Sequence, residues 1–168
     1  MPGARHPSEV MLEPKMEARI LQALKPHAKE TVLEVGTGSG YMAALLAQYA
    51  KSVTSVEINP QMVALAKTYL ANAAILNVTV EEGDAYTGWG DLSYDVICVS
   101  GGMPSLYEGL KQQLAVGGRL FAVVGHAPVQ RAILVQRHDA TYFSETTLFE
   151  TWVPYLTSAK VKESTFAF

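Results

Sequence analysis

Three acidic residues and a run of alternating glycines have the types and the spacing of a small-ligand site. Glu34 lies near the end of a short apolar run, two residues before Gly36. Glu57 and Asp84 stand at the ends of two further apolar runs. A carboxylate accepts hydrogen bonds from a ribose diol or an adenine amino group, and it attracts positive charge. One such acid alone is usually a solvated loop charge, but three of them beside a glycine turn predict a site for a cation that contains adenosine.

The glycine spacing distinguishes this site from two common nucleotide sites. Gly36, Gly38 and Gly40 form G-x-G-x-G, whereas the dinucleotide pattern G-x-G-x-x-G would need a glycine where Tyr41 stands. The Gly-Lys-Ser/Thr ending of a P-loop is also missing from this stretch. S-adenosylmethionine has an ammonium and a sulfonium but no phosphate, so an acid beside the turn suits it better than it suits a pyrophosphate. The alternative at this point is a structural turn that binds no ligand.

The elements that must position these residues follow from the order of apolar patterns. The predicted helices are 14–24, 41–50, 61–73 and 104–114. The predicted strands are 31–35, 53–58, 78–81, 94–100, 119–124, 130–136 and 142–150. Alternating strands and helices predict an α/β fold with a doubly wound, mostly parallel sheet. The last two strands have no helix between them, which predicts an antiparallel edge at the C-terminal end.

This fold would bring the acidic residues together. In an open α/β sheet, ligands bind outside the carboxyl ends of the strands, where Glu34, Glu57, Asp84 and Ser100 are expected to lie. We expect Glu57 to accept hydrogen bonds from both ribose hydroxyls and Asp84 to accept one from the adenine amino group.

Composition narrows the function classes. The chain has 168 residues, a net charge of −3 and one cysteine. We predict one domain over residues 1–168, with no nucleic-acid partner, no membrane partner and no metal site. Cys98 stands in an apolar run and is expected to be a buried core thiol. Without an apolar run of about 18–20 residues or a secretory signal, we expect a cytoplasmic protein. The oligomeric state stays open.

Five stretches resemble the motifs of the protein-L-isoaspartate O-methyltransferase family, in order and at similar spacing. They are VLEVGTGSGY (32–41), SVEI (55–58), GDAYTGW (83–89), GGRLFAVVG (117–125) and WVPYL (152–156). The first is shared by many S-adenosylmethionine-dependent enzymes, whereas the third and fifth are more specific to this family. The resemblance implies a Rossmann-like class I methyltransferase fold. It also implies S-adenosyl-L-methionine as cofactor, S-adenosyl-L-homocysteine as product, and isoaspartyl-containing peptides or proteins as substrate.

The resemblance also implies which residues bind the cofactor. It places Glu34 and the glycines at the methionine part, Glu57 at the ribose and Asp84 at the adenine. The complete set that we predict for the cofactor is Glu34, Gly36, Thr37, Gly38, Ser39, Gly40, Tyr41, Glu57, Ile58, Gly83, Asp84, Ala85 and Ser100.

The acceptor side departs from the family pattern. The family carries a segment like I-S-x-P before its first helix, with a serine at the substrate carboxylate, but Leu12 occupies that position here. The segment 100–104 also differs from its family counterpart, and the longer N-terminal helical region of the family is not matched before Met11. These departures are compatible with a divergent or shortened member or a fragment. No catalytic residue is assigned. His126 follows the fifth strand, and a loop histidine in such a position is more often solvated than a general base.

Two other functions stay open at this point. One is methyl transfer to a different acceptor, either a small molecule or another protein side chain. The other is a non-catalytic protein that kept the fold and the cofactor site.

Overall fold

The computed structural model describes residues 12–160, which contain four helices and seven strands. The helices are α1 (Pro14–Leu24), α2 (Tyr41–Ala47), α3 (Pro60–Asn72) and α4 (Glu108–Gln112). The strands are β1 (Thr31–Val35), β2 (Ser52–Glu57), β3 (Val78–Glu82), β4 (Tyr94–Met103), β5 (Leu114–Val124), β6 (Gln130–Arg137) and β7 (Phe143–Thr151). None of the helices among these residues is long and apolar enough to span a membrane.

All seven strands form one sheet in the order β3-β2-β1-β4-β5-β6-β7. The first five strands in this order run parallel to one another, while β6 is antiparallel to β5 and β7 is antiparallel to β6. The predicted fold class is therefore confirmed, including the antiparallel edge formed by the last two strands. The strand order reverses between β1 and β4, and such a switch point is where open α/β sheets bind ligands.

The central strands are buried on both faces of the sheet. On one face, Val32 packs in a cluster with Ile20 and Leu24 of α1. On the other face, Leu33 packs in a cluster with Leu110 of α4. Adjacent residues of a strand point to opposite faces, so a strand covered on both sides must be apolar at nearly every position. This requirement makes the exception in β1, the carboxyl group of Glu34, informative.

Arg119 of β5 fixes the end of α1 against the sheet. Its Nε donates to the carbonyl of Leu24 over 2.6 Å, and its Nη2 donates to the carbonyl of Lys25 over 2.6 Å. The same guanidinium forms a partly buried ion pair with Glu30. The last carbonyls of a helix have no partner within the helix, and this side chain supplies one. Arg119 thus holds the helix that follows Leu12.

The structure corrects the predicted end of β4. Gly101 and Gly102 were expected to terminate this strand, but it continues to Met103. Gly102 pairs with Val123 of β5 on one side, and on the other it exchanges backbone hydrogen bonds with residues 154 and 156. An added Cβ at Gly102 would lie 2.9 Å from the carbonyl oxygen of Val153. The glycines therefore extend the sheet rather than end it, because they let a distant segment approach.

The predicted helix 104–114 is also wrong in its extent, since α4 covers only Glu108–Gln112. Its N-cap, Tyr107, has an extended backbone. At its other end, the Gln113 side chain accepts from the amide of Trp89 and donates to the carbonyl of Leu92, which ties the chain to the preceding loop. The segment from Leu114 then enters β5, so the Gly117-Gly118 pair lies within a strand. Other predicted ends differ by one to three residues, as is usual for helix and strand termini.

We expect Arg119→Ala to lower the free energy of unfolding by about 2–3 kcal/mol, because it removes partly buried charge-assisted hydrogen bonds to Glu30 and to two carbonyls. Arg131→Ala is the matched control, since its ion pair with Glu145 is about half exposed and such pairs contribute about 0–1 kcal/mol. Urea unfolding measures both. Equal losses for the two variants would show that Arg119 does not fix α1.

Candidate functional site

A tight turn of glycines connects β1 to α2. Gly36 and Gly40 have φ values of +91° and +88°, a region that side chains with a Cβ rarely occupy. Gly40 also lies against α3, where an added Cβ would be 3.3 Å from the Cβ of Ala66. The turn therefore needs glycine both for its backbone conformation and for the close contact between two helices.

Glu34 lies completely buried at the carboxyl end of β1. One carboxyl oxygen accepts from Ser55 Oγ of β2 over 2.6 Å, and the other accepts from Ser100 Oγ of β4 over 2.7 Å. Ser55 Oγ also lies 2.6 Å from Thr37 Oγ1 in the glycine turn. The hydroxyl groups of the two neighbouring strands thus compensate for the burial of this carboxyl group.

Burial raises the pKa of Glu34 to about 7. The hydrogen bonds from the two serines oppose this shift, whereas the nearby carboxylates of Glu57 and Glu17 add to it. Glu17 is itself a buried carboxyl group on α1, and burial raises its pKa as well. The carboxyl end of β1 is therefore a region that disfavours further negative charge and would favour a cation.

Glu57 connects the ends of the first two strands. Its Oε1 accepts from the amide of Gly38 over 3.0 Å, and its Oε2 accepts from the amide of Asn59 over 2.9 Å. Each carboxylate oxygen can accept two hydrogen bonds, so with one bond each, counted over residues 12–160, both oxygens retain an acceptor position. Glu57 thus stabilises the glycine turn and presents two oxygens side by side.

A cavity of about 380 Å³ lies beside Glu57, within the usual range for small-ligand sites. Its wall comes from the carboxyl ends of β1, β2 and β3, from α3 and from the segment after β7. The lining residues are Val35, Gly36, Gly38, Val56, Glu57, Ile58, Asn59, Met62, Gly83, Asp84, Ala85, Tyr86, Leu156 and Thr157. The wall is mostly apolar, and its acidic groups are Glu57 and Asp84.

Seven of the predicted cofactor-binding residues line this cavity: Gly36, Gly38, Glu57, Ile58, Gly83, Asp84 and Ala85. Six others do not line it: Glu34, Thr37, Ser39, Gly40, Tyr41 and Ser100. Of this second set, Glu34 and Thr37 are buried, whereas the Tyr41 side chain is 40% exposed. The cofactor contacts of all thirteen residues stay predictions.

Asp84 is already hydrogen-bonded on both carboxyl oxygens. Its Oδ1 accepts from the amide of Tyr86 over 3.1 Å. Its Oδ2 accepts from Ser158 Oγ over 2.8 Å and from the amide of Ala159 over 2.9 Å. The expected acceptor for an adenine amino group therefore also holds the segment that follows β7.

Several residues of the wall carry no signal in the sequence that would mark them as ligand-binding. Met62 and Tyr86 follow strand ends, but their types carried no signal for a ligand. Leu156 ends the WVPYL stretch and Thr157 follows it. This stretch resembles a family motif, but the sequence does not indicate its position in the fold. Glu17 was missed because an acid on a helix is normally exposed.

Leu12, His126, Cys98 and Trp89 are not among the residues that line the cavity. Leu12 packs against the apolar cluster between α1 and the sheet, so its side chain contributes no polar group. His126 is exposed in the turn after β5. Cys98 is completely buried, and burial raises the pKa of its thiol, which confirms the expected core position. Trp89 covers Gly83 and donates its Nε1 hydrogen to Glu81 over 2.8 Å.

A sequence model of the protein-L-isoaspartate(D-aspartate) O-methyltransferase family matches residues 8–160. The protein-L-isoaspartate O-methyltransferase of Protochlamydia amoebophila is 39% identical over 137 residues, which cover 80% of this chain and 65% of that protein. The enzyme of the same name from Halorhodospira halophila is 37% identical over 150 residues, which cover 88% of this chain and 68% of that protein. The chain thus spans about two thirds of the length of these curated relatives.

Solved structures show the same fold. A protein-L-isoaspartate O-methyltransferase superposes with a TM-score of 0.78 at 29% identity, over 86% of this chain and 47% of the other. A Plasmodium falciparum protein, described as a candidate protein-L-isoaspartate O-methyltransferase in complex with S-adenosyl-L-homocysteine, superposes with a TM-score of 0.73 at 18% identity. This second match covers 88% of this chain and 75% of the other.

We expect Glu34→Gln to flatten the pH dependence of stability. The folded protein binds the Glu34 proton more tightly than the unfolded chain does, because the pKa is about 7 instead of 4.5. The contribution of this proton to the free energy of unfolding is therefore fully present below the pKa of the unfolded chain. It is lost as the pH rises through the folded pKa of about 7, and the loss for this shift is about 3 kcal/mol. The glutamine amide can still accept from one serine and donate to the other.

Urea unfolding between pH 4 and 8 tests this expectation. Glu13→Gln, at an exposed position just before α1, serves as the control and should follow the wild type. If wild type and Glu34→Gln lose stability in parallel as the pH rises, Glu34 does not titrate in this range.

Proposed function

The chain belongs to the protein-L-isoaspartate(D-aspartate) O-methyltransferase family, and we propose that it binds S-adenosyl-L-methionine and methylates a carboxylate of isoaspartyl residues in peptides or proteins. The observation that carries this proposal is the position of Glu57, on the wall of a cavity beside the glycine turn. The family's named activity and the S-adenosyl-L-homocysteine of the Plasmodium structure support it.

The cavity fits the adenosine part of this cofactor. The two carboxylate oxygens of Glu57 each retain an acceptor position, which suits the two neighbouring hydroxyls of a ribose. Val56, Ile58 and Met62 offer apolar surfaces beside it for a flat purine ring. Oδ1 of Asp84 accepts only one hydrogen bond among the described residues, so it can accept another from an adenine amino group.

The carboxyl end of β1 suits the cationic part. Gly36 lines the cavity two residues after Glu34, which is bonded to Ser100. The buried carboxyl groups of Glu34 and Glu17 favour positive charge in this region. Glu34 has no place on the wall, so we assign it an electrostatic role through the turn rather than a direct contact. A nearby cation would lower the pKa of Glu34 from its value of about 7.

When bound, the cofactor would supply a methyl group activated by a sulfonium, so that an acceptor oxygen could bond to the methyl carbon in line while the carbon–sulfur bond breaks and S-adenosyl-L-homocysteine leaves. The acceptor carboxylate is already ionised at neutral pH, so the protein need not supply a general base. Catalysis then consists of placing the two reactants in line and excluding water. This agrees with a wall that is mostly apolar and with the exposed position of His126.

Leu12 favours a second candidate function, methyl transfer to another acceptor. It replaces the serine that the family places at the substrate carboxylate, and its side chain packs into the apolar cluster under α1. Loss of a hydroxyl donor to a charged acceptor costs about 1.5–3 kcal/mol. An acceptor without a carboxylate would not need this donor.

We expect Glu57→Gln to weaken the binding of S-adenosyl-L-homocysteine by about tenfold or more, since an amide offers one acceptor oxygen to the ribose diol instead of two. Calorimetric titration measures this loss. Glu82→Gln is the matched control, because Glu82 pairs in register with Glu57 but is exposed and off the cavity wall. Unchanged binding in Glu57→Gln, or tighter binding of NAD than of S-adenosyl-L-homocysteine by the wild type, would contradict the assignment.

We expect the wild type to methylate an isoaspartyl peptide weakly and Leu12→Ser to raise this activity by about tenfold. The restored hydroxyl donor would stabilise the bound carboxylate by about 1.5 kcal/mol, and about 1.4 kcal/mol corresponds to a tenfold change in rate. Methyl incorporation is measured against a no-peptide control. Leu21→Ser tests for a general loosening of α1, because Leu21 packs against the same cluster.

The outcomes separate the candidates. Full activity of the wild type without a gain from serine would show that the acceptor is bound by other groups. Cofactor binding without isoaspartyl methylation in either variant would support a different acceptor. Cofactor binding without turnover on any acceptor would point to a non-catalytic protein.

A further inference from the structure

The segment after β7 crosses the carboxyl ends of the parallel strands, and we call residues 153–160 the strap. Its first half is held by the end of β4 and by β6. The amide of Val153 donates to Gln130 Oε1 over 2.7 Å, and Gln130 is completely buried. Gly102 donates to the carbonyl of Pro154 over 2.8 Å and accepts from the amide of Leu156 over 2.9 Å. These contacts fix the strap at one end.

Asp84, at the end of β3, holds the other end. Ser158 Oγ donates to Asp84 Oδ2 over 2.8 Å, and the amide of Ala159 donates to the same oxygen over 2.9 Å. Lys160 Nζ donates to the backbone carbonyl of Asp84 over 2.8 Å. Burial opposes the ionisation of Asp84, but the hydrogen bonds from Ser158 and from three amides outweigh it and lower the pKa of Asp84. The charged form therefore holds the strap.

Leu156 and Thr157 lie between these two anchors and line the cavity. Leu156 enters the space between the ends of β1 and β4. Its Cδ2 would lie 2.8 Å from a Cβ added to Gly36 and 2.6 Å from a Cβ added to Gly101. This is the switch point of the sheet, so the strap covers the place where a ligand would bridge the two halves. A ligand in the cavity would have the strand ends on one side and the strap on the other.

We propose that the strap closes the outer side of the cofactor cavity and that Ser158 is a positioning residue, which acts through Asp84 to keep Leu156 and Thr157 against the bound cofactor. This inference rests on the proposed function. Asp84 serves both partners, since its Oδ2 holds the strap while its Oδ1 keeps an acceptor position for the adenine. The adenine and the strap are thus coupled through one carboxylate.

A wall that closes behind a ligand slows its escape more than its entry. Differences in affinity among variants of one site arise mostly in the dissociation rate. Loosening the strap should therefore increase the dissociation rate of the cofactor and leave its association rate nearly unchanged. A residue that only stabilised the fold would not separate these two rates.

The test compares Ser158→Ala with the wild type, using S-adenosyl-L-homocysteine and rapid-mixing kinetics. We expect about fivefold weaker binding and a matching rise in the dissociation rate, which is less than the effect of about tenfold or more for losing a direct hydrogen bond to a charged group, because Ser158 acts on the cofactor only through Asp84. Ser158→Thr retains the hydroxyl and should restore both values. Ser93→Ala is the matched control, because Ser93 is exposed just before β4, at the opposite end of the strand from the cavity.

A second measurement tests the anchor without any ligand. Trypsin cleavage after Lys160 should be faster in free Ser158→Ala than in free Ser93→Ala, and the cofactor should protect the wild type. Normal cofactor affinity in Ser158→Ala would overturn the inference. Tighter binding would also overturn it, because it would show that the strap competes with the cofactor. Faster cleavage of Ser158→Ala in a protein that does not bind the cofactor would keep the anchor but reject both the proposed function and the role in closing the cavity.

Discussion

The carboxyl group of Glu34 is the constraint on which the site depends. It lies completely buried in the centre of the sheet, where a carboxyl group without partners would be costly. Its two oxygens are satisfied only because β2 places Ser55 on one side and β4 places Ser100 on the other. This arrangement fixes three strand ends relative to one another. It also links them to the glycine turn, through the hydroxyl of Thr37.

Glycine has a second role in this fold, which is to leave room for other parts of the chain. The turn after β1 needs positive φ values, but Gly101 and Gly102 in β4 serve a different purpose. Without side chains, they allow the strap to lie directly against the end of the strand. The cavity wall is therefore assembled from strand ends in the first half of the described chain and from Leu156 and Thr157 near its last residues, and the glycines make that assembly sterically possible.

Much of the fold could be predicted because its patterns are local. The helix α1 begins and ends where its apolar spacing and Pro14 indicate, and β1 covers the predicted residues 31–35, whose apolar positions are interrupted only by Thr31 and Glu34. The prediction failed at Gly102 and α4, where local signals conflict with distant contacts. A glycine pair usually marks a turn, yet here a strand continues through it. The helix predicted over 104–114 covers only 108–112: Tyr107 before it has an extended backbone, and the side chain of Gln113 after it is bonded to the loop at Trp89.

The sequence by itself determined that the acids would meet, since parallel strands bring their carboxyl ends to one edge and Glu57 and Asp84 lie at two such ends. Only the tertiary structure decided what each acid contacts. Glu34 is buried and does not line the cavity, Glu57 lines it, and Asp84 is shared with Ser158, which is 74 residues away in the chain. The physical reason is that periodicity reports which face a residue takes. The partner of a polar group depends on which distant segments pack there, and no local pattern encodes that.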